Sequence, residues 1–149
     1  MNILISFYYT MDNNFTFAII KPDAVGAGKT GPILAMINEA GFEISAMKML
    51  RINLSQDQSF YSIHKERPFY ADLVNFMIAG PVVVMILRHK DAVIEFRKLI
   101  GATDPHNAEE GTVRKKFATS VQMNAVHGSD SVENAGIEAV FFFSGIERF

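Results

Sequence analysis

The residue best suited to chemistry in this sequence is His127, in the stretch Asn124-Ala125-Val126-His127-Gly128-Ser129-Asp130-Ser131. Gly128 has no side chain that could shield the imidazole, and the three residues after it are all common at the N-cap of a helix. The spacing therefore predicts an accessible imidazole near a helix N-terminus, a place that favours anions. The alternative is a histidine that lies on a surface loop without a chemical role. The other residues of the chain are needed to distinguish these two interpretations.

Phosphoryl transfer from a nucleotide depends mainly on positioning and charge neutralisation, and a neutral, exposed imidazole can accept the transferred group. An unperturbed imidazole has a pKa of about 6.5 and is mostly neutral at pH 7. Ser129 and Glu138 are the nearest side chains that could fix its tautomer. Lys21, Arg97 and Arg114 lie at the ends of predicted elements, where cations can bind phosphates. These residue types are the ones that a phosphoryl-transfer site needs.

A nucleotide site also needs a surface for the base, and two aromatic residues are candidates. Phe69 and Tyr61 lie on the pair of predicted helices before the central strand. An aromatic ring can stack on any base, because every base has a π face. Each assignment is weak alone, but together with the cations they predict a nucleotide-binding site.

A second segment resembles a phosphate-binding loop. Gly26-Ala27-Gly28-Lys29-Thr30 follows a predicted strand and precedes a predicted helix, as the end of a Walker A motif does. The complete motif needs a glycine where Asp23 stands. It also needs a strand that ends in a metal-binding aspartate, whereas the strand at residues 82–87 runs into Arg88. A P-loop ATPase is therefore disfavoured.

Other chemistries find little support in the sequence. The four histidines share neither the i, i+4 spacing nor the carboxylate pattern of a metal cage. There is no Gly-x-Ser-x-Gly segment, which argues against a serine hydrolase. The chain has no cysteine, which excludes disulfides, thiol catalysis and the common zinc sites and leaves a cytoplasmic location as our expectation.

Length and charge bound the organisation of the chain. Its 149 residues fit one domain, and a formal net charge of -2 argues against nucleic-acid binding through a basic surface. Residues 1–9 are apolar but lack the basic segment and cleavage site of a signal peptide and are too short to span a membrane. We expect residues 1–10 to be an N-terminal extension, either disordered or the product of an upstream start. Residues 11–149 should form a single domain without a membrane segment.

The order of predicted elements indicates the fold class. Apolar and β-branched runs predict strands at residues 16–20, 42–52, 82–87 and 139–143, the second of them with a bulge. Apolar spacing and capping residues predict helices at residues 30–40, from 55 to a break at 67, from 68 onward, at 92–100, 113–117 and 131–138, with irregular backbone between 118 and 128. This order favours an α+β fold, a ferredoxin-like sandwich with a four-stranded, mostly antiparallel sheet and helices packed on it.

Six segments between about residue 15 and residue 149 match one protein family, in the family's own order. They are Ile20-Lys21-Pro22-Asp23-Ala24-Val25, Lys65-Glu66-Arg67-Pro68-Phe69-Tyr70, Gly80-Pro81-Val82-Val83, Gly101-Ala102-Thr103-Asp104-Pro105, Gly111-Thr112-Val113-Arg114 and the stretch around His127. The chain closely resembles the nucleoside diphosphate kinases. The last segment matches the active-site signature of that family and is highly specific.

The resemblance implies an enzyme that moves the terminal phosphate of a nucleoside triphosphate, typically ATP, to a nucleoside diphosphate. The reaction would be ping-pong through a phosphohistidine, with His127 as the nucleophile and with Glu138 and Ser129 orienting its ring. The cofactor would be Mg²⁺, held mainly by the nucleotide phosphates and not by protein side chains.

The resemblance also assigns residues to the sugar and phosphates of the nucleotide. Lys21 and Asn124 would contact sugar hydroxyls near the transferred phosphate. Arg97, Thr103 and Arg114 would hold the phosphates.

The remaining residues assigned by resemblance are Tyr61, which would lie near the phosphates, and Phe69 and Leu73, between which the base would lie. Such a clamp makes no hydrogen bonds to base edges. It would therefore accept purines and pyrimidines alike.

The family's assemblies imply a homo-oligomer, either a hexamer or a tetramer built from dimers. Pro105 matches a loop proline that takes part in subunit contacts in the family. Asp104 and His106 depart from the asparagine and alanine that are frequent in that loop, and Met123 is a further departure. None of these touches a matched catalytic position, and they leave hexamer and tetramer open. We expect neither a membrane nor a specific nucleic acid as a partner.

Overall fold

Residues 14–149 are described by the computed structural model, and within them four strands form one sheet flanked by helices. The predicted N-terminal extension at residues 1–10 lies outside the described residues. The strands are β1 (Phe15–Ile20), β2 (Glu43–Leu50), β3 (Val82–Arg88) and β4 (Val126–Gly128). The α-helices are α1 (Pro22–Gly26), α2 (Thr30–Glu39), α3 (Leu54–Phe60), α4 (Tyr70–Ile78), α5 (Ala92–Ile100), α6 (Val113–Phe117) and α7 (Val132–Phe142). No helix in this part of the chain is long and apolar enough to cross a membrane.

Strand β1 lies inside the sheet, whose strand order is β2-β3-β1-β4 with every neighbouring pair antiparallel. All of its residues are buried, because helices cover both faces of the sheet. Phe17 and Ile19 belong to the core cluster that includes α7, whereas Ala18 and Ile20 belong to the cluster that includes α2 and α5. The fold is the predicted ferredoxin-like α+β sandwich.

The pairing of β4 with β1 fixes where the histidine lies. His127 is opposite Ile19 in the antiparallel register. Lys21 directly follows β1, and its backbone N–H donates to the carbonyl of Ala125 at 2.9 Å. One backbone ladder therefore holds both the candidate nucleophile and the first candidate cation.

The prediction of a fourth strand at residues 139–143 is wrong, because α7 continues to Phe142 and the fourth strand is β4. Ala135, Ala139 and Phe143 are buried at a spacing of four residues, which is the period of a helix face. Strand β4 lies in the stretch predicted to be irregular. With only three residues it is too short to show the alternation that identifies a strand from sequence.

Three smaller predictions can be compared with the structure. The bulge in the second strand is confirmed by a shift of register between Ile44 and Ala46. The helix predicted from residue 55 is shorter than expected, since α3 ends at Phe60 and a 3-10 turn follows at Ser62–His64. The next helix begins at Tyr70 and not at the proline before it. The sequence did not predict α1.

Candidate active site

A cavity of about 790 Å³ opens beside β4. All of the predicted site residues line it except Ser129, which is fully buried behind it. Those that line it are Lys21, Tyr61, Phe69, Leu73, Arg97, Thr103, Arg114, Asn124, His127 and Glu138. Residues that are far apart in the sequence therefore meet at one concave surface.

Of the two ring nitrogens of His127, one makes a hydrogen bond and the other has no hydrogen-bond partner within residues 14–149. Its Nε2 lies 2.5 Å from Oε1 of Glu138. An ionised carboxylate can only accept, so Nε2 carries the proton and Nδ1 keeps the lone pair. Within residues 14–149 Nδ1 makes no hydrogen bond. The side chain is 23% exposed, so a substrate in the cavity can reach this nitrogen.

The carboxylate of Glu138 is itself held from a second side. The hydroxyl of Ser129 donates to Oε2 of Glu138 at 2.7 Å. The backbone N–H of Ser129 donates to the carbonyl of Phe17 at 3.1 Å, which ties this serine to β1. Among the described residues, Ser129 thus bonds to Glu138 and makes no hydrogen bond to the imidazole.

Two phenylalanine rings restrict the plane of the imidazole. Phe17 and Phe60 both meet His127 edge to face, with ring centroids 6.2 Å and 5.9 Å away. Phe60 lines the cavity, and sequence reasoning assigned it no role in the site. These apolar contacts, together with Glu138, hold the imidazole in one orientation.

Lys21 and Asn124 form a buried polar pair at the cavity wall. The ammonium of Lys21 donates to Oδ1 of Asn124 at 2.9 Å and to the backbone carbonyl of Gln122 at 3.3 Å. Asn124 in turn donates from Nδ2 to the carbonyl of Thr103 at 3.3 Å. Burial lowers the pKa of Lys21 to about 8, with the Arg114 charge lowering it further and the Asp23 carboxylate opposing both.

Arg114 is a cation anchored by backbone carbonyls. Its Nη1 donates to Gly101 at 2.9 Å, and its Nη2 donates to Val126 at 3.0 Å. Burial lowers the pKa of Arg114 to about 10, and the nearby charge of Arg97 lowers it too. The two guanidinium groups repel each other across the cavity wall, an arrangement that favours a bound anion between them.

Tyr61 is buried more deeply in the protein than a residue that only lies near the phosphates needs to be. It is 6% exposed, and its hydroxyl has no hydrogen-bond partner among the described residues. Burial and the carboxylates of Asp57 and Glu138 raise the pKa of Tyr61. Asp57, one helical turn before it, is fully buried, and burial raises its pKa to about 7. A weak signal for Asp57 was present in the sequence, as an acidic residue four positions before the tyrosine.

The far end of the cavity carries exposed apolar side chains. Phe69, the N-cap of α4, is 51% exposed, and Leu73 is half-buried on that helix. Val121, from the segment before Asn124, is 56% exposed and lines the same cavity. Sequence reasoning missed Val121, and a β-branched apolar residue in an irregular stretch close to His127 was the signal that could have revealed it.

A family model described as nucleoside diphosphate kinase matches residues 14–147. The chain belongs to the nucleoside diphosphate kinase family. A nucleoside diphosphate kinase of Lawsonia intracellularis is 56% identical over 133 residues, which cover 89% of this chain and 96% of that protein.

Two solved structures of nucleoside diphosphate kinases have the same fold as this chain. That of Aquifex aeolicus has a TM-score of 0.90 and 42% identity, and the match covers 91% of this chain and 99% of that one. That of Halobacterium salinarum, determined in complex with CDP, has a TM-score of 0.88 and 32% identity, and the match covers 93% and 92%.

As a nucleoside diphosphate kinase, the chain transfers the γ-phosphate of a nucleoside triphosphate to a nucleoside diphosphate. A requirement for a divalent metal ion is consistent with this family of nucleotide kinases. The cavity around His127 contains the cations and the apolar surface that such substrates need.

The glycine-rich segment at residues 26–30, which resembles a P-loop, does not line the cavity around His127. Lys29 is the N-cap of α2, and its ammonium lies 6.0 Å from the ring centroid of Phe117. Lys29 is not among the residues that line the cavity. Lys29 is therefore not placed to bind a phosphate in the cavity around His127.

Proposed function

We propose that the chain works by a ping-pong mechanism in which Nδ1 of His127 is the nucleophile. The lone pair of Nδ1 attacks the γ-phosphorus, a P–N bond forms, and the bond to the β,γ-bridging oxygen breaks. The leaving diphosphate takes that electron pair. In the second half, a terminal oxygen of another nucleoside diphosphate attacks the same phosphorus, and the P–N bond breaks to restore the neutral imidazole.

The hydrogen bond from Nε2 of His127 to Glu138 is the observation that carries this proposal. It leaves the lone pair on Nδ1 and keeps a carboxylate beside the ring. The imidazole becomes positively charged when Nδ1 bonds to phosphorus, and the carboxylate stabilises that charge without moving. Ser129 keeps the carboxylate in position.

The cations of the cavity would bind the substrate phosphates. Arg97, Arg114 and Thr103 would hold the phosphate chain, because both guanidinium groups line the cavity wall beside the threonine. Lys21 and Asn124 would contact the sugar hydroxyls nearest the transferred group, and their mutual hydrogen bond fixes both side chains in advance.

The apolar end of the cavity would bind the base. Phe69 and Leu73 would contact its faces, with Val121 as a third apolar neighbour. Tyr61 would form the wall between the base and the phosphates. Stacking of this kind does not read base edges, so the enzyme would accept several nucleotides.

We further propose Mg²⁺ as the metal. No group of three His, Asp or Glu side chains within residues 14–149 could form a metal cage. Mg²⁺ would be held mainly by the nucleotide phosphates, as it is in many kinases. The ion supplies charge neutralisation on the phosphate oxygens when it is bound.

Labelling with γ-³²P-ATP tests the nucleophile. The unmodified chain should take up one acid-labile, base-stable phosphoryl group that GDP discharges. His127→Ala should take up none, whereas His106→Ala is the matched control, because that imidazole is 83% exposed and lies away from the cavity. Label that survives in His127→Ala would contradict the proposal.

The assembly is proposed to be a hexamer or a tetramer built from dimers. Strand β2 is an edge of the sheet, and its Met47 and Met49 are 49% and 60% exposed. Exposed apolar side chains on an edge strand favour pairing with a second copy. Light scattering of the intact chain distinguishes these states from a monomer.

Two expectations from the sequence, the single domain at residues 11–149 and the cytoplasmic location, remain predictions. Limited proteolysis would show whether residues 11–149 resist cleavage as one unit, as a single domain should. Cell fractionation would test the expected cytoplasmic location.

A further inference from the structure

Gln122 connects two walls of the cavity. Its side-chain Nε2 donates to the backbone carbonyl of Asp72 in α4 at 2.9 Å. Its own backbone carbonyl accepts from the ammonium of Lys21 at 3.3 Å. One residue thus joins α4, which carries Leu73 and is capped by Phe69, to the buried lysine at the phosphate end.

The segment that carries Gln122 has little structure of its own. Residues 118–125 form neither helix nor strand. Two hydrogen bonds within the segment close the turn. The N–H of Thr119 donates to the carbonyl of Met123 at 2.9 Å, and the N–H of Met123 donates to the hydroxyl of Ser120 at 2.9 Å. Such local bonds shape the turn but do not fix its distance from α4. The side-chain amide of Gln122 spans that distance.

The position of this turn matters because Val121 is next to Gln122. Val121 and Phe69 are both more than half exposed, and they line the same cavity from different segments. A base can contact both side chains only if the turn stays against α4. A helix carbonyl has a second lone pair, so the Asp72 carbonyl can accept from Gln122 without losing its place in the helix.

We propose that Gln122 is a positioning residue for the nucleoside base, which holds the turn at residues 119–123 against α4 so that Val121 and Phe69 face one slot. This inference rests on the proposed base site. It assigns Gln122 to nucleotide binding and gives it no part in the chemistry at His127.

Two variants remove the amide donor in different ways. Gln122→Met keeps the length of the side chain without a polar group, and Gln122→Glu places an acceptor against the Asp72 carbonyl. Gln58→Glu is the matched control, because Gln58 is exposed on α3 and lies outside the cavity.

The phosphoenzyme is prepared with phosphoramidate, a phosphoryl donor that has no base, and is then discharged with increasing concentrations of GDP or CDP. In both Gln122 variants the half-saturating concentration should rise roughly three- to tenfold, the loss expected for one neutral hydrogen bond. The discharge rate at saturation should stay within about twofold of the unmodified chain, since that step does not use Gln122.

Three results would overturn the inference. One is an unchanged half-saturating concentration in both variants, and another is an equal rise in the Gln58→Glu control. The third is a fall in the discharge rate at saturation that is as large, in fold-change, as the rise in the half-saturating concentration. If the unmodified chain forms no phosphoenzyme with either phosphoramidate or ATP, the proposed function fails first, and this inference fails with it.

Discussion

His127 and Glu138 meet through one hydrogen bond between Nε2 and Oε1, although they come from different elements, β4 and α7. The turn between these elements begins with Ser129, whose hydroxyl holds the other oxygen of the same carboxylate. The candidate nucleophile, its partner and the partner's support therefore form one connected unit. Changes to the second and third members should alter the rate of chemistry more than the binding of nucleotide.

Glu138→Gln should slow phosphoenzyme formation by on the order of 10²- to 10⁴-fold, because an amide can donate to Nε2 and force the proton onto Nδ1. Rapid quenching with labelled ATP measures this rate. Glu133→Gln, at an exposed position on the same helix, should leave the rate unchanged. A loss in Glu138→Gln that appears only in the Michaelis constant would contradict this role.

Ser129→Ala should lower the same rate by about tenfold, since one oxygen of Glu138 then loses its donor. Ser59→Ala, at an exposed position on α3, is the control. Combining Ser129→Ala with Glu138→Gln should add little to the loss in Glu138→Gln alone, because the serine acts through the glutamate. Fully additive losses would show that Ser129 acts by another route.

The second-order rate constant kcat/KM should fall as the pH rises through the pKa of Lys21, which burial lowers to about 8. Above that pH the side chain is increasingly neutral and binds substrate less well. Lys21→Arg should move this fall to higher pH, because a guanidinium keeps its charge. Lys29→Ala should change neither activity nor its pH profile, whereas a P-loop site would require the opposite result.

Asp57 should make the chain less stable as the pH rises. Burial raises its pKa from 3.8 to about 7, so the folded state favours the protonated carboxyl. The free energy of unfolding is therefore unaffected by this group below pH 3.8 and is reduced progressively between that value and about pH 7. Asp57→Asn should be more stable than the unmodified chain at pH 8 by about 1 to 3 kcal/mol.

Thermal unfolding at about pH 5 and pH 8 measures the Asp57 effect, and the advantage of Asp57→Asn should be smaller at the lower pH. Glu110→Gln, at an exposed position, should follow the unmodified chain at both pH values. If Asp57→Asn were more stable by the same amount at both pH values, titration of the Asp57 carboxyl would not be the cause of the change in stability with pH.

The sequence was sufficient for the parts of the site that depend on residue type. His127, Lys21 and Arg114 belong to specific segments, and the structure brings all three to one cavity. Strand β4 was not predictable, because three residues are too few to show the alternation of apolar and polar side chains that identifies a strand. They form a strand only by pairing with β1. Its neighbour α7 was predicted too short because its last residues are apolar and bulky, as in a strand.

Asp57 and Val121 had only weak local signals in the sequence, and Gln122 had none. Asp57 is buried only because the fold packs α3 against α4. Gln122 and Asp72 are 50 positions apart, and their hydrogen bond depends on where a turn and a helix happen to meet. Long-range contacts of this kind have no signature in a single sequence.

The antiparallel pairing of β4 with β1 also determines when the enzyme becomes active during synthesis. Strand β1 can pair with β3 once residue 88 has left the ribosome, but β4 must wait for residue 128. Glu138 emerges later still, on α7. A nascent chain can therefore form most of its sheet before it has a nucleophile, and the pair of His127 and Glu138 can form only after residue 138 has emerged.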